Sequence, residues 1–246
     1  MNEVVLLIGS EGQVGSELVP ELRKRFGESR VIRADIRPAN DSRCFFRRMD
    51  VTDPVALRDT VKEFRVTVIY HLVSILSAAG EKDPESAWRV NLEGLRNVME
   101  ISRQEHIRRI FWPSSIAAFG PHTEQTRTHQ FTVMDPNTMY GITKVTGELL
   151  CSYAFTKYGL DARCLRYPGL ISWKTPPGGG TTDFAIDMFY AALRQGRYTC
   201  YLRSDTTLPM MYMPDAVRAT IDRQSQCCHL STPLSMAWVT GRDWKR

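Results

Sequence analysis

The stretch Val4-Val-Leu-Leu-Ile-Gly-Ser-Glu-Gly-Gln-Val-Gly15 opens the chain and decides its fold. Its first five residues, 4–8, form a continuous apolar run, which is typical of a strand buried in a parallel sheet. Three glycines with the spacing G-x-x-G-x-x-G follow, and a helical pattern starts behind them. Gly9 permits a tight turn, Gly12 lets a phosphate approach the backbone, and Gly15 lets the helix pack on the strand. The stretch therefore predicts a dinucleotide site at a helix N-terminus, with cofactor contacts from Gly9, Gly12, Gln13, Val14 and Gly15.

Strand and helix patterns alternate beyond this opening, with short connections between them. Apolar runs typical of buried strands lie at 31–34, 45–49, 66–73, 109–113 and 162–167. Helical patterns lie at 55–64, 84–106 and 138–158. This alternation predicts an α/β fold built on a doubly wound parallel sheet, a Rossmann fold. We assign residues 1–170 to this NAD-binding domain.

Residues 174–183 interrupt the alternation with the sequence Lys-Thr-Pro-Pro-Gly-Gly-Gly-Thr-Thr-Asp. Loops so rich in proline and glycine are either flexible connections or shaped ligand loops. Behind this loop we predict a helix over 184–195, strands over 198–202 and 208–213, and a last helix over 216–222 with Asp215 as its N-cap. The stretch 171–222 is thus predicted to be a small, incomplete substrate-binding region, and 223–246 a divergent tail.

The charge and hydropathy of the chain limit the classes of partner. Most of the net charge of +5 lies in residues 223–246, so no clustered basic face and no nucleic-acid partner are predicted. No apolar run is long enough to span a bilayer, so no membrane partner is predicted. The first residues carry no basic or Arg/Ser-rich leader. This predicts a cytoplasmic protein, or a mitochondrial one if the protein is eukaryotic and a leader is missing.

The six cysteines are scattered, and none form a C-x-x-C pair. Metal ligands and redox-active cysteines usually occur with such spacings, so neither a metal site nor a thioredoxin-like site is predicted. Reduced thiols in a reducing compartment are the expected state.

Two acidic positions follow predicted strands and are candidates for cofactor contacts. Asp35 ends the second strand, twenty residues after the glycine loop. A carboxylate there accepts hydrogen bonds from both ribose hydroxyls and repels a 2′-phosphate, which favours NAD over NADP. The alternative is a simple turn aspartate, and the neighbouring Arg37 would soften the discrimination. Asp50 and Val51 lie at the next strand end. They are candidates for a contact with the adenine, and a purely structural turn is an equally good interpretation.

Tyr140 and Lys144 are four residues apart, so they share one face of a helix. A tyrosine with a pKa near 10 is a poor base at neutral pH, but a lysine ammonium beside it favours the phenolate. Ser115 precedes this pair and can hold a substrate oxygen by a hydrogen bond. A Tyr-x-x-x-Lys pair alone is more often a surface feature. Together with the glycine loop and the serine, it predicts hydride transfer at a hydroxyl or carbonyl carbon.

These motifs resemble the extended short-chain dehydrogenase/reductase superfamily. The glycine spacing, the twenty-five residues between Ser115 and Tyr140, and Asn91 in the preceding helix all match it. Within the superfamily the chain is most similar to the NAD-dependent L-threonine 3-dehydrogenases. The segments that carry this similarity are Pro113-Ser-Ser-Ile-Ala-Ala-Phe-Gly-Pro121, Leu165-Arg-Tyr-Pro-Gly169, Pro177-Gly-Gly-Gly-Thr-Thr-Asp183 and Leu208-Pro-Met-Met-Tyr-Met-Pro-Asp215.

The resemblance implies NAD-dependent oxidation of L-threonine at C3 to 2-amino-3-oxobutyrate, a step in threonine catabolism. It implies that Tyr140, Lys144 and Ser115 are catalytic, and that Tyr140, Lys144, Tyr167 and Pro168 also contact the cofactor. It implies an amino-acid site formed by Ser77, Ser115, Tyr140, Gly180, Thr181 and Thr182. It further implies a homodimer built through two long central helices and functional coupling to 2-amino-3-oxobutyrate CoA ligase.

One region departs from the family, and two other functions stay open. After Asp222 the family continues with a strand and a helical lid, whereas residues 223–246 show no clear periodicity and predict a truncated or divergent end. One alternative is a sugar-nucleotide epimerase or dehydratase; those enzymes usually carry an asparagine where this chain has Gly169. The other alternative is an NAD-binding pseudoenzyme with an inactive substrate half, which the full Ser/Tyr/Lys set disfavours and the tail favours.

Overall fold

A computed structural model describes residues 3–39, 45–124, 126–176, 178–225 and 237–238. Nine strands lie in this part of the chain: β1 (Val5–Ile8), β2 (Val31–Asp35), β3 (Phe46–Arg48), β4 (Val68–His71), β5 (Arg109–Ser115), β6 (Ala162–Tyr167), β7 (Gly169–Ile171), β8 (Met210–Tyr212) and β9 (Ala237–Trp238). The first six form a parallel sheet in the order β3-β2-β1-β4-β5-β6, and β9 extends it beside β6. The predicted doubly wound parallel sheet is confirmed.

Eight α-helices lie in the same described ranges: α1 (Gln13–Phe26), α2 (Pro54–Phe64), α3 (Ser77–Lys82), α4 (Pro84–Trp88), α5 (Gly94–Gln104), α6 (Met139–Tyr158), α7 (Phe184–Gln195) and α8 (Met213–Ser225). Several begin and end where local chemistry dictates. The Asp53 carboxylate accepts from the Val55 and Ala56 N–H groups at the start of α2, and the Thr138 hydroxyl accepts from the Gly141 N–H in α6. Of the described helices, none is long and apolar enough to cross a membrane.

The sheet is covered on both faces by helices. Residues alternate between the faces along each strand, so Ile69 packs with α2, α5 and α6, whereas Tyr70 packs with α1 and α8. Trp112 of β5 lies under α6, where a Cβ on Gly147 would come within 2.3 Å of the indole ring. Glycine at 147 therefore lets α6 approach the sheet closely. The strand order changes direction between β1 and β4, and ligands of such sheets bind at the carboxyl ends beside that point.

The prediction of a single α-helix over 84–106 is wrong, because the helix is interrupted in its middle. A π-helical segment, Arg89–Glu93, separates α4 from α5. Inside it, the Asn91 amide accepts from the Ile75 N–H at 2.7 Å and donates to the Ile75 carbonyl at 3.1 Å. Such bulges occur where a helix adjusts to a tertiary contact, and this contact fixes the chain just after β4.

Two further predictions need correction, and one short helix was missed. No strand forms over 198–202, and Tyr201 instead uses its hydroxyl to bind the Thr181 carbonyl. Asp215 does not cap the last helix; it lies in the first turn of α8 and pairs with Arg218. The short helix α3 was not predicted, because its sequence lacks an apolar period.

Residues 169–225 add a small second sheet, in which β7 pairs with β8, and two helices. One hydrophobic cluster contains Met211 and Val217 from this region together with Leu18 and Phe111 from the first part. The predicted boundary at residue 170 therefore does not separate two cores. The predicted tail contributes at least the strand β9 to the main sheet.

Candidate active site at the carboxyl ends of the strands

A cavity of about 740 Å³ lies along the carboxyl ends of β1, β4, β5 and β6. It runs from the glycine loop, past the chain after β4 and the two serines that end β5, to the 175–183 loop. Fourteen of the predicted site residues line it: Gly9, Gly12, Gln13, Val14, Gly15, Ser77, Ser115, Tyr140, Lys144, Tyr167, Pro168, Gly180, Thr181 and Thr182. Asp35, Asp50 and Val51 do not.

The glycine loop has the shape that a diphosphate needs. Gly9 adopts a φ of +89°, which glycine tolerates and other residues rarely adopt. A Cβ on Gly15 would lie 2.2 Å from the Gly9 carbonyl oxygen, so no side chain fits there. Gly12 precedes α1 without a side-chain cap, which leaves the first-turn N–H groups available to an anion.

Two buried polar atoms on the cavity wall support a ligand at this place. The Ser74 hydroxyl and the Gln13 amide nitrogen have no hydrogen-bond partner within the described ranges. Buried polar groups are usually paired, so a bound ligand that accepts from them would complete the site. These groups, the glycine cradle and the cavity volume together fit a dinucleotide.

Asp35 ends β2 as predicted, but its carboxylate is already engaged. It accepts from the Glu11 N–H at 2.9 Å and from the Arg37 N–H at 3.0 Å. The Arg37 guanidinium pairs with the same carboxylate at 3.2 Å and also lines the cavity. Arg37 therefore lies between Asp35 and the cavity end next to the glycine loop, a position that sequence reasoning noted but did not place in the site.

Asp50 and Val51 lie outside the cavity lining. The Asp50 carboxylate accepts from the N–H and the hydroxyl of Thr52 and so stabilises its own turn. Val51 is buried, and a Cβ on Gly94 would come within 2.8 Å of it. Both residues have structural roles in the β3–α2 connection, and their contact with the adenine stays a prediction.

Tyr140 and Ser115 face each other across the cavity wall. Burial raises the pKa of Tyr140 to about 12, and a hydrogen bond with the Ser115 hydroxyl opposes that rise. The Ser115 oxygen also accepts from the Ala117 N–H at 3.1 Å, which fixes its direction. The pair offers one hydroxyl that can lose a proton and one that can hold an oxygen atom.

Lys144 lies behind Tyr140 and is almost completely buried. Its Nζ donates to the Pro113 carbonyl at 2.8 Å and lies 5.1 Å from the Tyr140 ring centroid. It also lies 4.5 Å from the Trp112 ring centroid. Burial lowers the pKa of Lys144 to about 7, and the Glu148 carboxylate opposes this effect. The Lys144 amino group can therefore gain or lose a proton near neutral pH.

The 175–183 loop closes the opposite side of the cavity. Asp183 accepts from the Gly179 and Gly180 N–H groups at 2.8 and 2.7 Å, and burial raises the pKa of its carboxyl. The Thr175 hydroxyl lies 2.9 Å from that of Ser16 on α1. Sequence reasoning did not assign Ser74, Thr175 or Asp183 to the site. The polar composition of the loop signalled Thr175 and Asp183, but nothing in the sequence pointed to Ser74.

A glycine cradle for a dinucleotide and a Ser–Tyr–Lys set on one cavity define a short-chain dehydrogenase/reductase. The sequence profile of the NAD dependent epimerase/dehydratase family matches residues 5–221. The chain belongs to this family, which lies within the extended short-chain dehydrogenase/reductases, and this membership supports NAD as its cofactor.

Relatives agree with this assignment. An uncharacterized epimerase/dehydratase of Staphylococcus haemolyticus is 45% identical over 223 residues, which cover 89% of this chain and 70% of the relative. The GalE-like L-threonine dehydrogenase of Cupriavidus necator, in its holo form, matches with a TM-score of 0.92 at 46% identity, covering 97% of this chain and 78% of that one. The L-threonine dehydrogenase of Phytophthora infestans matches with a TM-score of 0.91 at 44% identity, covering 97% and 77%.

A more distant structure shows the fold alone. The UDP-glucose 4-epimerase of Thermus thermophilus, in complex with NAD, has a TM-score of 0.80 at 24% identity, covering 91% of this chain and 75% of that one. Family and neighbours together support an NAD-dependent dehydrogenase.

Proposed function

We propose that this chain oxidises L-threonine at C3 with NAD and forms 2-amino-3-oxobutyrate. The observation that carries the proposal is one cavity lined by the glycine cradle, Ser115, Tyr140 and Lys144. It occurs in a chain that is 46% identical to an L-threonine dehydrogenase over nearly its whole length.

The residues of the cavity divide the reaction between them. NAD held along the glycine cradle would supply the acceptor for the hydride that leaves C3. Tyr140, as a phenolate, removes the proton from the 3-hydroxyl, so that the C–O bond becomes a carbonyl. Ser115 donates a hydrogen bond to the substrate oxygen and holds it beside the phenol. The 175–183 loop, with Gly180, Thr181 and Thr182, would hold the amino-acid end together with Ser77.

Tyr140 needs a cation beside it to act as a base. Burial raises its pKa to about 12, far above neutral pH, even though the Ser115 hydrogen bond opposes the rise. The Lys144 ammonium lies close enough to the ring to favour the phenolate. Lys144 must therefore be protonated while Tyr140 is not, and this sets the pH range of the reaction.

Cofactor preference is part of the proposal. Asp35 is buried at the end of β2, and its carboxylate pairs with Arg37, which lines the cavity. We assign the Asp35 carboxylate to the cofactor ribose, where it would repel a 2′-phosphate, so NAD should bind more tightly than NADP. Calorimetric titration with both cofactors tests this, and Asp35→Asn should narrow the difference. Equal affinities in the parent chain would contradict the assignment of Asp35 to the ribose.

Association is a further part of the proposal. Ile142, Leu149 and Tyr153 lie on one face of α6 and are each more than a third exposed. Apolar side chains spaced like this on a long helix commonly pack against another protein surface. We assign this face to a homodimer. Because the product is a labile β-keto acid, we also propose functional coupling to 2-amino-3-oxobutyrate CoA ligase.

The competing sugar-nucleotide function is disfavoured by the packing at Gly169. A Cβ there would come within 2.5 Å of the Met210 sulfur and 2.6 Å of Thr182. No room remains for the asparagine that grips a diphosphate in those enzymes.

The test measures NADH formation from L-threonine at 340 nm, with L-serine and L-allo-threonine as matched controls. Interconversion of UDP-glucose and UDP-galactose is measured in parallel. Turnover of L-threonine above both controls is the expected result. Sugar interconversion without threonine oxidation would favour the epimerase. NAD binding with no turnover of any substrate would favour the pseudoenzyme.

A further inference from the structure

Three polar side chains form a network behind the cavity, on the side of the sheet covered by α6. Glu148 is fully buried, and Ser114 and Arg166 are each 2% exposed. The Arg166 guanidinium donates to the Glu148 carboxylate from Nε at 2.8 Å and from Nη2 at 2.7 Å. The Ser114 hydroxyl donates to the same carboxylate. The network joins α6, β5 and β6 at the carboxyl end of the sheet.

The network is costly for a purely structural element. Two charges lose their hydration when they are buried, and well-packed apolar side chains of similar size often stabilise a protein as well or better. Ser114 itself lines the cavity, and Glu148 and Arg166 are close neighbours of the lining residues Lys144 and Tyr167. A role in the site would therefore account for the burial of these charges.

Ser114 directly precedes Ser115 in β5. Successive side chains of a strand point to opposite faces. The Ser114 hydroxyl therefore reaches Glu148 on α6, whereas the Ser115 hydroxyl points toward Tyr140. Arg166 directly precedes Tyr167, which also lines the cavity. Arg166 further donates to the Gln130 carbonyl at 3.0 Å and lies over the Phe119 ring. It thus also holds the connection that leads from Ser115 to α6.

Tyr140, Lys144 and Glu148 follow one another at intervals of four residues on α6. Such residues are neighbours on one face of a helix, about one turn apart. The Glu148 carboxylate therefore lies next to the Lys144 side chain on the helix face that packs on β5. Its negative charge favours the protonated ammonium that Tyr140 requires.

We propose that Ser114, Glu148 and Arg166 form a positioning network, which anchors Ser115 and supplies the fixed negative charge that keeps Lys144 protonated. The proposal rests on the proposed function in one respect, since it assigns Ser115 and Lys144 their roles in oxidation. Arg166 completes it by holding the carboxylate in one orientation through two hydrogen bonds.

Other groups around Lys144 do not supply this charge. His71 of β4 is buried and neutral, because burial and the Lys144 charge lower its pKa to about 3. Cys151 of α6 and Cys164 of β6 are buried, and burial raises the pKa of both thiols, so they are neutral at physiological pH. Burial likewise keeps Tyr140 neutral before catalysis. Among the described groups that interact electrostatically with Lys144, Glu148 is thus the one that carries a negative charge.

The first test is Glu148→Gln, which keeps the shape and hydrogen-bonding capacity of the side chain but removes its charge. Loss of an opposite charge at this range lowers the pKa of a lysine by about one to three pH units, and the uncompensated Arg166 adds to the effect. The double variant Glu148→Gln/Arg166→Met removes both charges, so it should lose only the part of the shift that the unpaired guanidinium causes, and the Lys144 midpoint should stay below its parental value because the carboxylate is still absent. A role confined to packing predicts no shift in either variant.

The titration of Lys144 is measured directly by NMR on protein carrying lysine labelled with 13C at Cε, and Lys144→Arg assigns the signal. This readout needs no turnover, so it stands even if L-threonine proves not to be the substrate. In the chain saturated with NAD, the basic limb of the pH–rate profile should move in parallel. A Lys144 midpoint that is the same in Glu148→Gln and the parent would overturn the proposal.

Ser114→Ala tests the anchoring half and keeps both charges, so it remains informative if the Glu148 variant does not fold. The Lys144 midpoint and the Kd for NAD should stay at their parental values. The kcat should fall roughly tenfold, since a small displacement of Ser115 misaligns the substrate oxygen. A parental kcat in this variant would show that Ser114 does not hold Ser115 in its catalytic position.

Discussion

The two walls of the cavity are built in different ways. The strand-end wall carries Tyr140, Lys144 and Ser115, and the groups behind it are buried and held by the Ser114–Glu148–Arg166 network. The loop wall, residues 172–176 and 178–183, is held by a buried hydrogen bond from the Ser172 hydroxyl to Glu17 at 3.1 Å and otherwise by partly exposed contacts. A wall held in place by the packed core suits a reaction that tolerates little displacement of its groups. A loop held by a few hydrogen bonds and ion pairs suits recognition of a particular substrate.

The ties of the loop wall are few and partly exposed. The Thr175 hydroxyl lies 2.9 Å from that of Ser16. Lys174 pairs with Glu17 at 2.7 Å, and the Tyr201 hydroxyl donates to the Thr181 carbonyl at 3.0 Å. Exposed pairs of this kind contribute roughly 1 kcal/mol or less each. The loop can therefore change without disturbing the strand-end wall, and variants in the two walls should have separable effects.

The largest effect is expected for Tyr140→Phe on the strand-end wall. Loss of a general base typically costs ~10²–10⁴-fold in rate, so kcat should fall by that order while the Kd for NAD stays nearly unchanged. Steady-state NADH formation and calorimetry measure the two quantities. Ser115→Ala is the matched comparison and should cost less, because it removes an orienting hydrogen bond. Near-parental kcat in Tyr140→Phe would exclude this residue as the base.

Gly15→Ala should act on the cofactor end of the same wall. The added Cβ would lie 2.2 Å from the Gly9 carbonyl oxygen, and overpacking of this kind costs about 1–3 kcal/mol. The Kd for NAD should rise about tenfold or more, with a lower Tm. Gly80→Ala serves as the control, since its Cβ would lie at an ordinary 3.4 Å from Ala87. Unchanged NAD affinity in Gly15→Ala would mean that the cradle does not hold the diphosphate.

His71 should make the strand-end wall sensitive to acid. Its pKa is lowered to about 3 in the fold from 6.5, because burial disfavours the cation. The unfolded chain therefore binds the proton between pH 6.5 and 3, so stability is fully present above pH 6.5 and falls as the pH drops. The slope is at most about 1.4 kcal/mol per pH unit. Urea unfolding of the parent and of His71→Leu should give a flatter pH profile for the variant, and identical slopes would contradict the prediction.

The smallest effect is expected for Tyr201→Phe on the loop wall. The variant loses only the hydrogen bond to the Thr181 carbonyl, worth about 1 kcal/mol. The KM for the amino acid should rise about fivefold. The Kd for NAD and the kcat, which depends on proton removal by Tyr140, should stay at their parental values. Tyr212→Phe, at a residue exposed on β8, is the control. An equal change in NAD affinity would show that the two walls are coupled.

The sequence predicted the strand-end wall well because its signals are local. The apolar run of β1 and the glycine spacing report a strand, a turn and a helix start within a dozen residues. The spacing of Tyr140 and Lys144 reports a shared helix face. These features, with Ser115, predicted eight of the fourteen lining residues, and the family resemblance supplied the other six: Ser77, Tyr167, Pro168, Gly180, Thr181 and Thr182. The eight meet on one cavity because parallel strands bring their carboxyl ends to one edge.

The failures have a common physical cause, which is that tertiary contacts decided the local conformation. The π-helical segment exists where Asn91 binds the backbone of Ile75, a residue far earlier in the chain. Residues 198–202 are rich in aromatic side chains but find no strand to pair with, so they stay irregular. Arg37 and Ser74 enter the cavity lining through the positions of loops, and no spacing rule reports those.

The close packing of α6 on Trp112 gives the protein an internal optical reporter. Gly147 lets the helix approach, so the Lys144 nitrogen lies 4.5 Å from the centre of a fully buried indole ring. A charge at that distance changes the energy gap between the ground and excited states of the ring. The emission of Trp112 should therefore shift when Lys144 gains or loses its proton. Of the other tryptophans whose side chains the structure describes, Trp88 and Trp173 are exposed and emit at longer wavelengths, so among these three rings the blue edge of the emission belongs to Trp112.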